Sequence, residues 1–384
     1  MRVTGDWLTS ADTQAVLGML TDSGHLAYAV GGCARNALLG VPVADVDVAT
    51  SALPEEVVKV AQAAGLKPVP TGLEHGTITV ISNGIPHEVT TFRKDVDTDG
   101  RRAVVAFSDN ISDDAIRRDF TVNAFYVEAD GTLHDPLGGL PDISARRIRF
   151  IEDAAQRIEE DYLRILRFFR FTAWYGDPAA GLDPEGLAAC AMHVDGISKL
   201  SKERLGAEMK KLLAAPDPAP ALAAMAACGV LSQILPGADP KYIAPLVHLE
   251  QVSGIPISWQ RRMVAMGGES HATRLRLSRA EGKRLSATTA AMQSGDSTKV
   301  MAYRYGEDAA LDAKIIEAAS LPSPLPEALQ EHIAEGVNAT FPIKAVDLID
   351  RLGVGPQLGA ELKRLESVWV NTDFKAGKKE LLQS

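Results

Sequence analysis

Two aspartates one residue apart, Asp45 and Asp47, sit inside the apolar stretch "VADVDVAT" at residues 43–50. If that stretch is a strand, its alternation sends both carboxylates to the same face. Two acids held side by side repel, and the pKa of at least one rises unless a cation offsets the repulsion. A divalent metal is the usual solution. Mg²⁺ takes oxygen ligands, keeps several waters, and often needs only one or two protein carboxylates plus substrate phosphates. Two such ions can activate an attacking hydroxyl and stabilise a leaving pyrophosphate.

Upstream of the aspartates lies "GGCARN". Gly31 and Gly32 allow close backbone approach, the helix that follows offers free N–H groups to a phosphate, and Arg35 adds positive charge. This is not a P-loop, because no Gly-Lys-Ser/Thr follows, and it is not G-x-G-x-x-G. Taken singly, D-x-D is most often a solvated strand face and Gly-Gly a tight turn. Strand, glycine pair, helix, strand and D-x-D in that order describe phosphate and metal held at one end of a sheet. Further on, "EEDYLR" puts Asp161 and Arg164 at i, i+3 and Glu160 and Arg164 at i, i+4, which share a face if the segment is helical. That spacing alone is most often a surface ion pair.

The elements that must position these groups can be read from pattern. "HLAYAV" reads as a strand, "GGCARNALLG" as a glycine turn entering a helix, and "DVDVA" as a second strand. "LPEEVVKVAQAAG" carries a proline near its start, acids in its first turn and a closing glycine, which are helix signals. "GTITVIS" and "HEVTTF" alternate at period two around "NGIP", a hairpin signal. The polar segment 93–113 reads as a long mobile loop, "DAIRRDFTVNAF" as a helix, and "YVEA" and "TLHD" as short strands. From about Ile151 the strand signals fade. "DAAQRIEEDYLRILRFFRFTAWYG" reads as one long amphipathic helix stopped at Gly176, and "SKERLGAEMKKLLAA" as another with Ser201 as N-cap. "PDPAPA" at 216–221 reads as a linker, and the remainder as helices broken by Gly and Pro. The fold class expected is α+β: a mixed sheet with helices on one face, followed by an all-α remainder.

The chain has 384 residues, enough for two or three domains. No run of about 18 apolar residues exists, so no membrane span is expected, and the first residues do not read as a secretion signal. Cys33, Cys190 and Cys228 lie far apart and suggest neither a disulfide framework nor a zinc site, so a reducing cytoplasm fits. A formal net charge of −10 argues on its own against a nucleic-acid partner. Basic residues are clustered, however, at Arg101-Arg102, Arg117-Arg118, Arg146-Arg147 with Arg149, Lys210-Lys211, Arg274 with Arg276 and Arg279, and Lys375 with Lys378-Lys379. A basic groove on an acidic protein therefore stays open.

"VGGCARNALLG…DVDVAT" resembles the head motif of the DNA polymerase beta-like nucleotidyltransferases, and more closely the class II tRNA nucleotidyltransferases (CCA-adding enzymes) and their bacterial poly(A) polymerase relatives. The resemblance continues through "LEHGTITV", "EVTTFRKD", "RRDFTVNAF", "DPLGGLPD", "EEDYLRILRFFRF" and "SKERLGAEM", covering roughly residues 25–236. It implies a catalytic head over 1–150, a helical neck over 151–215 that selects the base, and a helical body and tail over 216–384 that binds tRNA. It implies Asp45 and Asp47 as metal ligands, with Glu88 on a following strand as a weaker third, and Gly31, Gly32 and Arg35 at the nucleotide. Asp119 is assigned to the 2′-OH, with Arg118 and Asn123 near the sugar and triphosphate. The stretch with Asp135, Gly138, Gly139 and Asp142 corresponds to a hinge.

Under the same resemblance Asp161 and Arg164 become a protein template. Cytosine and adenine both offer an amine donor beside a ring-nitrogen acceptor, which a carboxylate and a guanidinium can pair. Uracil and guanine place a carbonyl there instead, which costs about 1–3 kcal/mol per unmet buried group. Glu160 would orient Arg164, and Glu203 and Arg204 would brace the helix. Three positions depart from the family pattern: Asn36 where an acid is usual, Ala44 where a basic residue is common, and Tyr162 in place of a frequent proline. The activity implied is addition of CCA to the tRNA 3′ end from CTP and ATP, with Mg²⁺, in the cytoplasm, and with no obligate protein partner. A bacterial poly(A) polymerase, a CC-only or A-only enzyme, and a non-catalytic RNA-binding protein are the alternatives. No "GRRF"-like stretch of the poly(A) polymerase kind is present, and the long 93–113 segment matches full CCA enzymes rather than CC-only ones.

Overall fold

The computed structural model describes residues 1–72, 76–99, 102–321 and 323–384, and no side chain within 95–105. It divides into two compact units, Met1–Ile234 and Leu235–Ser384. The first opens with helices α1 (Asp6–Thr9) and α2 (Ala11–Thr21), then β1 (Ala27–Val30), α3 (Gly32–Leu39), β2 (Asp47–Thr50), α4 (Pro54–Ala63) and strands β3 (Lys67–Gly72), β4 (Thr77–Ser82) and β5 (Ile85–Thr91). After these come β6 (Arg93–Asp99), β7 (Arg102–Phe107), α5 (Ile111–Ile116), β8 (Tyr126–Val127), β9 (Leu133–His134) and α6 (Leu140–Ser144). The rest is helical: α7 (Ala154–Glu160), α8 (Leu163–Tyr175), α9 (Pro184–Met192), α10 (Lys202–Leu213), α11 (Ala219–Ala227) and α12 (Val230–Ile234).

Seven strands form one mixed sheet in the order β3-β4-β5-β2-β1-β8-β9, parallel between β2 and β5 and antiparallel elsewhere. The expected α+β class is what the chain adopts. Period-two patterning sets the faces: in β5 His87, Val89 and Thr91 are buried while Glu88 is exposed. Helix α4 begins as its sequence indicates, with Pro54 in its first turn and the Glu56 carboxylate accepting from the Leu53 N–H at 2.9 Å. The β4–β5 turn is Asn83-Gly84, both at positive φ, as a two-residue hairpin requires. An aromatic stack joins α8 to the sheet region. Phe120 lies 4.9 Å from Phe150 and 5.2 Å from Phe171, and Phe150 lies 5.5 Å from Phe168, centroid to centroid.

Local pattern and structure part company at five places. Strand β2 begins at Asp47, so Asp45 precedes the strand; the alternation of exposed Asp45, buried Val46, exposed Asp47 and buried Val48 nonetheless continues through it. The segment read as a loop from residue 93 forms an antiparallel pair, β6 with β7. Leu73, Glu74 and His75 of "LEHGTITV", and Arg101 of the Arg101-Arg102 pair, lie outside the described residues. "DAIRRDFTVNAF" is not one helix: α5 ends at Ile116, Phe120 bridges Phe150, and a 3₁₀ turn spans Thr121–Asn123. Backbone bonds Thr121 N–H to Arg149 O and Ile151 N–H to Asp119 O, both 3.1 Å, take the groups a helix would have used.

The long helix expected over 153–176 is two helices broken at Asp161, whose φ is −152° and ψ is 103°. The Asp161 carboxylate accepts from the Leu163 N–H at 3.1 Å, the local competition by which aspartate disfavours helix interiors and favours their starts. Ser201 caps α10 as read, accepting from the Arg204 N–H at 3.3 Å. The stretch 216–221 leads directly into α11, and the first unit continues to Ile234.

The second unit is helical, with main helices Ile243–Val252, Trp259–Ala265, Arg279–Ser294, Thr298–Tyr305, Glu307–Ser320, Leu329–Asn338 and Pro356–Asn371. One of its apolar clusters centres on Val300, Leu348, Leu365 and Trp369. A closed ion cluster lies elsewhere in it: Arg261 donates to Glu250 at 2.7 Å and to Asp312 at 2.8 Å, and Arg262 donates to Glu250 at 2.7 Å.

Candidate active site

Strand β2, helix α3 with its glycine turn, the segment 117–123 and the α7–α8 break converge on one cavity of about 490 Å³. From the glycine turn come Gly31, Gly32 and Arg35; from β2 comes Asp47; from the irregular segment come Arg117, Arg118, Asp119 and Asn123. From the helical side come Asp161, Leu163, Arg164, Arg167, Phe171 and Arg204. Six arginines face three aspartates, so this cavity is locally cationic although the chain is acidic overall. Asp45, Glu88 and Glu160 are absent from its lining.

Gly31 caps α3 with φ 72° and ψ −115°, a conformation that favours glycine. A Cβ there would sit 3.2 Å from the Arg118 guanidinium, so the glycine keeps open the space between α3 and that cation. Arg118 is anchored by Nη2 to Asp114 at 2.9 Å and by Nε to the Tyr126 hydroxyl at 3.1 Å. Arg35 is buried. It donates to Asn123 Oδ1 at 2.6 Å, to Asn36 Oδ1 at 2.9 Å and to the Tyr175 hydroxyl at 2.8 Å, and its guanidinium stacks 3.9 Å from the Tyr175 ring centroid. Every one of these partners is neutral, so the charge of Arg35 is left for an anion in the cavity.

Asp119 is almost fully engaged. Its Oδ1 accepts from Phe120 N–H at 2.9 Å and from Asn123 Nδ2 at 2.8 Å, and its Oδ2 accepts from Arg167 Nε at 2.7 Å. Burial by itself would raise this carboxyl, but Arg167, Asn123 and the Phe120 N–H outweigh it and hold it below the usual carboxylate range. Its partners Asn123 and Arg167 both line the cavity beside it, so a ribose hydroxyl reaching Asp119 meets them as well.

Across the cavity Arg164 is held from three sides: Glu160 accepts from it, Arg157 O accepts at 2.7 Å, and Arg117 O accepts at 2.9 Å. Three of its five N–H donors are thus used and two remain. Asp161 is paired with Arg204 at 2.7 Å. Asp161 and Arg164 therefore meet at a helix start, not on the shared face of one helix. The braces expected from "SKERLGAEM" include Arg204 itself, which both pairs with Asp161 and lines the cavity. Arg167, Phe171 and Tyr175 were not singled out by sequence. They continue the stripe from Arg164 at helical spacing, i+3, i+7 and i+11, and that periodicity was the available signal.

Asp45 and Asp47 are both exposed, with buried neighbours between and after them, so they share the open side of β2. The β2–β5 register pairs Val48 with Val89, which puts Glu88 beside Asp47. Partial desolvation, then the neighbouring Glu88 and Asp45 charges, push the Asp47 carboxyl up against the opposing pull of Arg118. Such a concentration of negative charge fits a divalent cation. Among the described residues no three His, Cys, Asp or Glu side chains converge tightly enough to enclose an ion. That suits an ion completed by waters and substrate oxygens.

Residues 27–149 match the model of the poly A polymerase head domain, and residues 181–242 match that of a probable RNA and SrmB-binding site of polymerase A. Along 373 residues the chain is 34% identical to the CCA-adding enzyme of Streptococcus pyogenes serotype M4, covering 91% of this chain and 90% of that one. The chain belongs to the CCA-adding enzyme family. Human mitochondrial CCA tRNA nucleotidyltransferase 1 is 43% identical over 190 residues, and there the match spans 44% of the relative's length, or 49% of this chain. The crystal structure of the Bacillus stearothermophilus CCA-adding enzyme in complex with CTP superposes with a TM-score of 0.73 at 27% identity, covering 96% of this chain and 94% of that one. CCA-adding enzymes are nucleotidyltransferases, a class that generally works with a divalent metal ion. No helix among the described residues is long and apolar enough to cross a membrane.

Proposed function

We propose that this protein adds C, C and A to the 3′ end of tRNA, using CTP and ATP and releasing pyrophosphate. One observation carries the reading: a single cavity holds a glycine turn, an acid from the Asp45/Asp47 pair, a buried arginine with neutral partners, and an aspartate–arginine pair with unused hydrogen-bonding capacity. Residues 1–150 would carry catalysis, 151–215 base choice, and 216–384 contacts to RNA.

In this reading Gly31, Gly32 and Arg35 hold the triphosphate, with Arg118 facing the same gap. Asp45 and Asp47 would hold Mg²⁺, with Glu88 alongside as a weaker third. A bound Mg²⁺ supplies activation of the RNA 3′-hydroxyl and charge neutralisation at the pyrophosphate. The RNA 3′-oxygen bonds to the α-phosphorus as the bond from that phosphorus to the pyrophosphate oxygen breaks. Asn123 and Arg167, both tied to Asp119, face the sugar, and Asp119 takes the 2′-OH. Asp161 accepts from the amine of cytosine or adenine, and Arg164 donates its remaining N–H groups to the ring nitrogen. Because Glu160 and two backbone carbonyls fix Arg164, it does not swing to suit a carbonyl, and UTP and GTP leave polar groups unpaired. Three unpaired thiols agree with a reducing cytoplasm.

The test is magnesium-dependent incorporation of labelled CTP and ATP into tRNAs ending at the discriminator base, at CC and at CCA. Extension to one complete CCA, and no further, is expected. Long A tails would mark a poly(A) polymerase, arrest after CC a CC-only enzyme, A added to the CC-ended tRNA but nothing to the discriminator-ended one an A-only enzyme, and no incorporation a binding protein.

A further inference from the structure

The break that presents Asp161 is secured by an unusual contact. Gly196, buried in the 3₁₀ turn Val194–Lys199, lies directly under the ring of Tyr162. A Cβ on Gly196 would fall 1.9 and 2.0 Å from two ring carbons, so no side chain fits there while the ring stays in place. Lys199 covers the ring from 4.7 Å, and its ammonium reaches the Tyr162 hydroxyl at 3.4 Å. Tyr162 is the residue between Asp161 and α8, and it makes no side-chain cap of its own.

We propose that Gly196 and Tyr162 form a latch that fixes Asp161 and so sets base choice. Both are positioning residues that act through Asp161, and the inference rests on the reading that Asp161 and Arg164 select the base. Local bonds start the turn, the Asp161 carbonyl accepting from the Arg164 N–H at 2.9 Å and its carboxylate from the Leu163 N–H at 3.1 Å, and the ring anchors it. Tyr162 has φ −59° and ψ −14°, while Asp161 before it is extended. Nothing in the chemistry of tyrosine enforces that turn, and the Tyr162 N–H makes no hydrogen bond among the described residues. The ring, seated on a glycine and roofed by a lysine, packs that turn against the 3₁₀ segment Val194–Lys199. A proline would meet the same three conditions covalently: the right φ, an extended residue before it, and no N–H needed.

The experiment measures the ratio of CTP and ATP to UTP and GTP incorporation in full-length protein. Gly196→Ala expels the ring, and Tyr162→Ala removes it. Each should lower discrimination on the order of 10- to 100-fold, as small misplacements of orienting groups do. Tyr162→Pro should keep discrimination, and Tyr162→Pro should also restore it in the Gly196→Ala background, because no ring is left to collide. If Tyr162→Ala keeps full discrimination, or if Tyr162→Pro loses it as badly as Tyr162→Ala, the latch is wrong. The Tyr162 pair decides the matter even if Gly196→Ala fails to fold. Arg164→Ala separates the two layers. Loss of selectivity in Arg164→Ala but not in the latch variants overturns the latch alone; full selectivity in Arg164→Ala overturns the template reading beneath it.

Discussion

Each compact unit holds an arginine-rich cluster, and the two clusters balance their charge in opposite ways. In the second unit Arg261 and Arg262 are 2% and 1% exposed, and Glu250 and Asp312 are 2% and 0% exposed. Both Glu250 oxygens accept from arginine, and Asp312 accepts from Arg261 at 2.8 Å and Arg284 at 3.2 Å. The charges face one another with little left over. In the first unit Arg35 rests on neutral partners, Arg118 faces the gap at Gly31, and Arg164 and Arg167 line an open cavity. The same residue types form a lock in one place and a receptor in the other. What separates them is whether carboxylates or neutral groups meet the arginines and whether the side chains face a void. A closed cluster should therefore report in stability and an open one in activity.

The sharpest way to break that contrast is at Asp47. Asp47→Asn removes a charge from the open acid pair but leaves its volume. Nucleotide addition should fall by several kcal/mol of transition-state stabilisation, on the order of 10³-fold or more. Folding stability should stay level or rise slightly, since Glu88 and Asp45 then repel less. Labelled CTP incorporation alongside urea unfolding checks both halves; a large stability loss in Asp47→Asn would erase the distinction.

Asp312→Ala should do the reverse. It strands Arg261 without one of its partners in a buried site, which costs about 3–5 kcal/mol of stability. Affinity for CTP should hold, because none of the cavity's lining residues belongs to that cluster. Denaturant unfolding compared with CTP titration measures this, and a loss below about 1 kcal/mol would show the cluster to be ornamental.

A smaller effect tests whether neutral partners leave Arg35 available. Tyr175→Phe keeps the stacked ring and loses the 2.8 Å bond to the guanidinium. Losing about 1 kcal/mol of positioning should raise the KM for both CTP and ATP roughly fivefold, with kcat little changed. An equal change in stability and none in KM would move Arg35 to the closed class.

Sequence made the two classes only partly distinguishable. The sheet was legible because one face of each strand is buried: "GTITVIS" and "HEVTTF" alternate, and Asn83-Gly84 turns between them. Gly31, Arg35, Asp47, Asp119 and Arg164 were legible because their order along the chain resembles one family. The break at Asp161 was not, since "EEDYLRILRFF" satisfies helical periodicity throughout, while the aspartate's bond to Leu163 N–H, the pull of Arg204 and the seat of Tyr162 on Gly196 interrupt it. The course of residues 117–123 was hidden for a similar reason. Backbone pairing with residues 149–151, about thirty positions on, overrides the local helix signal. Arg261 and Arg262 carried no signal at all, because the acids that close around them lie 11, 12 and 51 residues away.

The smallest expected effect lies on a single strand that carries both classes. Glu88 of β5 faces the open side beside Asp47, whereas His87, its neighbour, points into the closed side and meets Thr13 Oγ1 at 3.3 Å. Burial holds the His87 pKa below the ordinary histidine value of 6.5. A histidine depressed in the folded state contributes stability that is complete above its unfolded pKa and is lost as pH falls below it towards the folded pKa. Stability should thus decline between pH 6.5 and the depressed value, by about 1.4 kcal/mol for each unit of depression. His87→Gln should flatten that stretch of the curve, while Glu88→Gln leaves it unchanged and alters only the magnesium concentration needed for addition. If instead Glu88→Gln flattens the curve and His87→Gln leaves it intact, the two faces of β5 have been assigned the wrong way round.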